Sequence, residues 1–132
     1  MKELRPGITG SAETVVDEHN TARAMCSGAL PVFATPAMIA LMEEAACRAL
    51  EPWLEPGETS VGTGLEISHL APSPVGAVIR ADCELVQVDR RRLRFSVNAR
   101  AGDLLIGEGF HERFVVDADR FLKKAGIRPD AL

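Results

Sequence analysis

The stretch from Thr35 to Leu50 constrains the fold more than any other part of this sequence. It is built almost entirely from Ala, Leu, Met and Ile and contains no glycine, so it predicts a helix. We expect Thr35 to be the N-cap and Pro36 the first helical residue, where a missing N–H has no consequence, and Pro52 to end the helix. Because apolar residues surround most of its axis, the predicted helix must be covered by the rest of the chain.

The two acidic residues of this predicted helix have different surroundings. Glu44 and Arg48 lie one helical turn apart and predict an ion pair on a solvent-facing strip. Glu43 instead has apolar helical neighbours, which are Ile39, Ala40, Ala46 and Cys47. Such a carboxylate must be paired, protonated or functional, because an isolated buried charge is too costly. A tilted helix with Glu43 at a solvated rim is the other interpretation, and we favour the functional one.

Composition limits the kind of protein this is. At 132 residues the chain suits one domain with a real core, so we assign residues 1–132 to a single domain. A net charge of −4 predicts no nucleic-acid partner, and no membrane partner is predicted because no segment resembles a membrane span or a signal peptide. Three cysteines at wide spacing predict neither a disulfide framework nor a metal site, and Cys47 and Cys83 should be buried. We expect a cytoplasmic protein.

The remainder of the chain predicts mostly β-structure. Residues 8–17 form a plausible first strand, and residues 18–34 predict a loop that leads into the helix. Four later stretches alternate apolar and polar residues, namely 61–69, 77–85, 93–101 and 104–116, and a short helix is expected at 119–125. The pattern predicts an α+β fold in which a meander of four antiparallel strands curls around the helix. The exposed edge of such a sheet predicts a homodimer.

Two side chains on the predicted core faces could take part in acid–base chemistry. His69 shares a strand face with Leu65 and Ile67 and should point towards the helix. It is either a satisfied core histidine or, beside Glu43, a proton-transfer partner. Thr35 stands at the helix start, where free amides can also hold an anion.

Two further positions could contact a ligand. Gly62 would let a ligand approach the backbone closely. Arg113 shares strand parity with His111 and is either a surface arginine or a contact for an anionic ligand.

Several stretches together carry a family resemblance. They are Val32-Phe33-Ala34-Thr35, Leu41-Met42-Glu43, Leu54-Glu55-Pro56-Gly57-Glu58, Val61-Gly62-Thr63, Ser68-His69 and His111-Glu112-Arg113. In these residues the chain resembles the hot-dog-fold acyl-CoA thioesterases, and among them the fluoroacetyl-CoA thioesterase-like family. The resemblance implies a hot-dog fold, a homodimer or higher oligomer, and hydrolysis of a short-chain acyl-CoA, such as a fluoroacetyl-CoA-like thioester, to the free acid and coenzyme A. It implies no separate cofactor, because coenzyme A is part of the substrate.

The resemblance also implies which residues form the site. The catalytic set would be Thr35, Glu43 and His69, with Gly62, Arg113 and Phe33 binding the substrate. Fluoroacetyl-specific enzymes carry an aromatic lid before the helix, whereas the corresponding segment here is shorter and keeps only Phe33. The resemblance therefore supports thioesterase activity in this chain more strongly than it supports selectivity for fluoroacetyl groups. The sequence leaves open a covalent acyl-Glu43 or a general-base route, and a non-catalytic acyl-CoA binding or sensing protein is the alternative function.

Overall fold

A computed structural model describes residues 1–131 and shows one long helix packed against a five-stranded antiparallel sheet. The elements are β1 (Thr9–Val15), α1 (Thr35–Leu50), β2 (Glu58–His69), β3 (Val78–Asp89), β4 (Arg92–Ala101), β5 (Leu104–Asp117) and α2 (Ala118–Lys124), with short 3₁₀ turns at Glu51–Trp53 and Pro129–Ala131. The predicted α+β architecture is confirmed. Bounds of the helix and of the later strands match the sequence pattern closely, because the apolar period changes from that of a helix to that of a strand after Trp53.

The start of α1 differs from the prediction in one respect. Thr35 is already helical, Ala34 is the N-cap, and no side chain bonds to the free amides there. Pro36 lies in the first turn, as its geometry favours. The predicted Thr35 cap is therefore wrong, because the hydroxyl of Thr35 is engaged by a histidine on another element.

The buried face of α1 forms the centre of the core. It consists of Met38, Leu41, Met42, Ala45, Ala46, Ala49 and Leu50. β1 lies directly against this face at Gly10, where an added Cβ would be 2.7 Å from the Ala49 side chain. The opposite strip carries the predicted Glu44–Arg48 ion pair, with 3.0 Å between Oε2 and Nη2.

The cysteines separate into buried and exposed positions. Cys83 is buried, as predicted, and burial raises the pKa of its thiol to about 11. Cys47 is exposed, so its predicted burial is wrong. It follows Glu44 by three helical positions and therefore shares the solvent-facing strip.

The strand order corrects the predicted meander. β3, β4 and β5 form consecutive hairpins, but β2 pairs with β5 and β1 pairs with β3, giving the order β1-β3-β4-β5-β2. Helix α1 thus connects the two opposite edges of the sheet. Within residues 1–131, β2 has a hydrogen-bonded neighbour on one side alone, so it is an edge strand.

The C-terminal helix is close to its predicted position. α2 begins after Asp117, whose side chain accepts a hydrogen bond from the Arg120 amide, and the chain turns at Gly126 with a φ of 80°. Across residues 1–131, no helix has the length and apolar character needed to cross a membrane.

Candidate active site

Glu43 projects from α1 towards the inner face of β5. Its Oε2 lies 3.3 Å from Nη1 of Arg113 and 3.9 Å from Nε2 of His111. The Glu43 side chain is 38% exposed, so it stands at the edge of the core within reach of a ligand. The carboxylate is therefore paired and also lies at a partly exposed rim, as the other interpretation expected, and its catalytic role stays a prediction.

Arg113 is buried and held through its whole guanidinium group. Nε donates to Ser60 Oγ at 2.9 Å, Nη2 donates to the Ser60 carbonyl oxygen at 3.0 Å, and Nη1 faces Glu43. A planar guanidinium tied at three nitrogens has one orientation. Arg113 is therefore not a surface arginine, and it presents a fixed positive charge to Glu43.

His111 joins this group, although the sequence indicated only its strand parity with Arg113. Its Nδ1 lies 3.0 Å from the Gly64 carbonyl oxygen, and its Nε2 lies 3.1 Å from Arg113 Nη1. Burial and, to a smaller degree, the charge of Arg113 lower the pKa of His111, against opposing contributions from the Gly64 carbonyl and Glu43. The alternation of Gly109, His111 and Arg113 on one strand face was the signal that could have identified it.

Gly62 brings bare backbone against the Glu43 carboxylate. A Cβ at this position would lie 2.7 Å from Glu43 Oε2 and 3.3 Å from the His111 ring. The pairing of β2 with β5 shifts register between Gly62 and Gly64, so the strand bulges here. Any larger residue would displace the carboxylate.

Thr35 and His69 form a second, separate contact. Thr35 Oγ1 lies 2.7 Å from His69 Nδ1, which joins the start of α1 to the end of β2. Nε2 of His69 is buried and has no hydrogen-bond partner within residues 1–131. Both residues line a cavity of about 320 Å³ together with buried Phe33 and part of the loop before α1.

The single chain brings the predicted site residues together as two groups. We call Glu43, Ser60, Gly62, His111 and Arg113 the Glu43 cluster, and Thr35 with His69 the Thr35–His69 pair. Thr35 and Glu43 are eight helical positions apart, which is about 12 Å along the axis. The polar partners of Glu43 are Arg113 and His111, so within one chain neither Thr35 nor His69 is seen to hold it.

Comparison with known proteins identifies the family of this chain. The model of the fluoroacetyl-CoA-specific thioesterase family, FlK, matches residues 16–119. The chain belongs to the fluoroacetyl-CoA-specific thioesterase family.

Individual relatives agree with this placement. A fluoroacetyl-CoA thioesterase from Streptantibioticus cattleyicolor is 40% identical over an alignment of 131 residues that covers 94% of this chain and 94% of that one. The solved fluoroacetyl-CoA thioesterase FlK is 38% identical with a TM-score of 0.88, covering 95% of this chain and 97% of that one. A variant of FlK solved in complex with acetyl-CoA is 37% identical with a TM-score of 0.88, covering 93% and 97%. Family membership confirms the predicted hot-dog fold and the thioesterase class.

Proposed function

We propose that this thioesterase hydrolyses short-chain acyl-CoA to a free acid and coenzyme A. The observation that carries the proposal is the Glu43 carboxylate, held by buried Arg113 against the backbone of Gly62. This arrangement places an oriented, partly exposed carboxylate where an acyl carbonyl can reach it. The similar enzyme solved with acetyl-CoA supports an acyl-CoA as the ligand class.

Glu43 can act by either of two routes. In the covalent route Glu43 attacks the thioester carbon, the C–S bond breaks, and the departing sulfur takes a proton. Water then cleaves the acyl-Glu43 anhydride and restores the carboxylate. In the general-base route Glu43 takes a proton from water, and the resulting hydroxide attacks the same carbon directly. Both routes consume one water and release one acid and one thiol.

His69 is the proposed proton carrier, and Thr35 is its orienting partner. When Nδ1 donates its hydrogen to Thr35 Oγ1, Nε2 keeps the lone pair that can accept a proton. Nε2 has no partner in the described chain, which fits an atom that meets water or the leaving sulfur during turnover.

The remaining predicted residues would bind and polarise the acyl group. We assign to the Gly62 N–H the stabilisation of the oxyanion that forms on the carbonyl oxygen. Arg113 holds Glu43 in place and adds positive charge near the same atoms. Phe33 forms an apolar wall beside Thr35 and His69.

We propose a homodimer because α1 covers only part of the inner face of the sheet and leaves the part near β2 uncovered. The helix packs mainly on β1 and β3, while β2 is an edge strand on the far side. Leu65 pairs with His111 and so lies on the inner face, yet it is 46% exposed. A second copy that pairs its own β2 with this edge would cover Leu65 and satisfy the unpaired backbone groups.

Such a dimer would also unite the two groups of site residues. In an antiparallel pairing of two β2 strands about a twofold axis near mid-strand, the His69 end of one strand approaches the Gly62 half of the other. Each site would then combine the Thr35–His69 pair of one copy with the Glu43 cluster of the other. A higher oligomer built from such dimers is compatible with the same site, and we expect the enzyme to act in the cytoplasm.

Selectivity for fluoroacetyl groups should be weak. Residues 21–30 of the loop before α1 contain no aromatic side chain, and Phe33 is its single aromatic residue. Shape alone distinguishes even a methylene group by only about 10–200-fold. We expect a kcat/KM ratio for fluoroacetyl-CoA over acetyl-CoA within that range, and acceptance of somewhat larger acyl groups. A ratio above about 10⁴ would show that the described site residues discriminate without an aromatic lid.

The proposal is tested by turnover of a panel of acyl-CoAs with detection of the released thiol. The exposed Cys26 and Cys47 react with thiol reagents as well, so the signal of the protein alone must be subtracted. Release of one thiol per acid formed supports hydrolysis. Tight acyl-CoA binding without thiol release would instead support the binding or sensing alternative.

A further inference from the structure

We infer that His111 is a positioning residue, a neutral hydrogen-bond acceptor that keeps Arg113 aimed at Glu43 while the charge of Glu43 changes. The inference rests on the proposed function and assigns a role to a side chain whose Nε2 lies 3.1 Å from Arg113 Nη1 and, beyond hydrogen-bond distance, 3.9 Å from Glu43 Oε2. It comes from the donors and acceptors that surround the imidazole ring.

The two partners of His111 determine where its proton lies. The Gly64 carbonyl oxygen can only accept, so Nδ1 carries the hydrogen. The guanidinium of Arg113 can only donate, so Nε2 must present its lone pair to Nη1. His111 is therefore held as the neutral Nδ1–H tautomer. Its side chain is 0% exposed, so water cannot replace either partner.

The hydrogens of Arg113 Nη1 match two acceptors. One is Glu43 Oε2 at 3.3 Å, and the other is His111 Nε2 at 3.1 Å. Both proposed routes remove the negative charge of Glu43, either by acylation or by protonation. The attraction between Glu43 and Arg113 then falls, whereas the neutral imidazole accepts the same hydrogen bond throughout. Ser60 still holds Nε and Nη2, and His111 is the acceptor that keeps Nη1 directed at the carboxylate for the step in which Glu43 is restored.

Protonation of His111 would reverse this effect. A hydrogen on Nε2 would face the Nη1 donor, and two positive charges would meet in a buried site that holds Glu43 as its nearest anion. The charged groups that face the ring are Arg113 on β5 and Glu43 on α1, and the third neighbour is the uncharged carbonyl of Gly64 on β2. The lowered pKa of His111 agrees with a ring that stays neutral while the enzyme works.

Two substitutions separate the acceptor role from a purely structural one. In His111→Gln the amide oxygen can take the place of Nε2 and accept from Arg113. In His111→Asn the amide nitrogen can replace Nδ1 and bond to Gly64, but nothing accepts from Arg113. We expect His111→Asn to lower kcat about tenfold with little change in KM, and His111→Gln to stay within about threefold of the wild-type kcat. Equal kcat losses in both variants, or a wild-type kcat in His111→Asn, would overturn the inference.

A measurement on the intact wild-type protein covers the case in which His111→Asn does not fold. Nitrogen-15 NMR of histidine-labelled protein should show His111 as the neutral Nδ1–H tautomer at pH 7 with a pKa below that of a free histidine, and Arg113→Met should raise that pKa. An Nε2–H tautomer or a protonated ring at that pH contradicts the inference. The NMR result does not depend on turnover, so it separates failure of this inference from failure of the proposed thioesterase activity.

Discussion

Within one chain, the Glu43 cluster is held by many more contacts and is more deeply buried than the Thr35–His69 pair. In the cluster, buried Arg113 and His111 hold one another and Glu43 through contacts that join α1, β2 and β5. The pair rests on a single 2.7 Å hydrogen bond, and Thr35 is exposed. One half of the proposed site is thus fixed by the fold, and the other half stands at the edge of the molecule.

This difference matches the different roles proposed for the two groups. Groups that must be held in one orientation gain from burial and several partners, while a proton carrier needs a nitrogen that is free to meet water or the leaving group during turnover. If the comparison is correct, loss of the Glu43 carboxylate should cost the most activity. At Thr35, a conservative replacement that keeps the hydroxyl should be tolerated.

The largest effect is expected for Glu43→Gln. The change keeps the size of the side chain but removes the nucleophile or base, so turnover should fall at least ~100-fold with little change in melting temperature. Glu44→Gln, on the solvent-facing strip of the same helix, is the matched control and should be near wild type. Normal melting together with near wild-type turnover in Glu43→Gln would refute its catalytic role.

His69→Ala should lower turnover about 100-fold, while coenzyme A binding measured by calorimetry persists. Binding should survive because His69 is proposed to meet the sulfur end of the ligand, whereas the nucleotide phosphates at its other end would make separate contacts. Loss of thermal stability and of binding together would show that His69 is a core histidine with no chemical part.

Mixing these two inactive variants tests whether the halves come from different copies. If each site takes Glu43 from one copy and His69 from the other, a hybrid dimer holds one intact site, and random mixing should restore about a quarter of wild-type activity. Co-expression with two affinity tags supplies the hybrid, and light scattering checks the dimer. No recovery in a purified hybrid would place the whole site within a single chain.

A smaller effect is expected at Thr35. Thr35→Ala removes the hydrogen bond to His69 Nδ1 and should lower kcat about tenfold, the scale for one hydrogen bond to an ionisable group. Thr35→Ser keeps the hydroxyl and should stay within about threefold of wild type. An equal loss of activity in both variants would show that the threonine methyl group rather than the hydroxyl is needed, and wild-type activity in both would show that neither is.

The sequence predicted the secondary-structure elements better than it predicted which strands pair in the sheet. Periodicity defines which face of a strand is apolar, so α1 and the later strands were predicted with their ends within a few residues of the observed ones. It does not say which strand lies beside which, and β2 was therefore misplaced in a meander with β3. The same reasoning applies to the site. Glu43 and His69 were selected as candidates from their apolar faces, whereas the contacts of Arg113 with Ser60 and His111 depend on strand register and a bulge that no pattern encodes.

The connection of opposite sheet edges by α1 has a consequence for folding kinetics. β3, β4 and β5 are joined by short turns and can pair locally, whereas β1 and β2 must find partners far away in the chain. We expect the central hairpins to form early and the segment from Thr35 to His69 to dock late. Every proposed catalytic group lies in that late segment. The chain can therefore hold the β3–β5 part of the sheet before it holds a working site, and amide exchange should be slowest in β4 and fastest along β1, the edge that the proposed dimer leaves open.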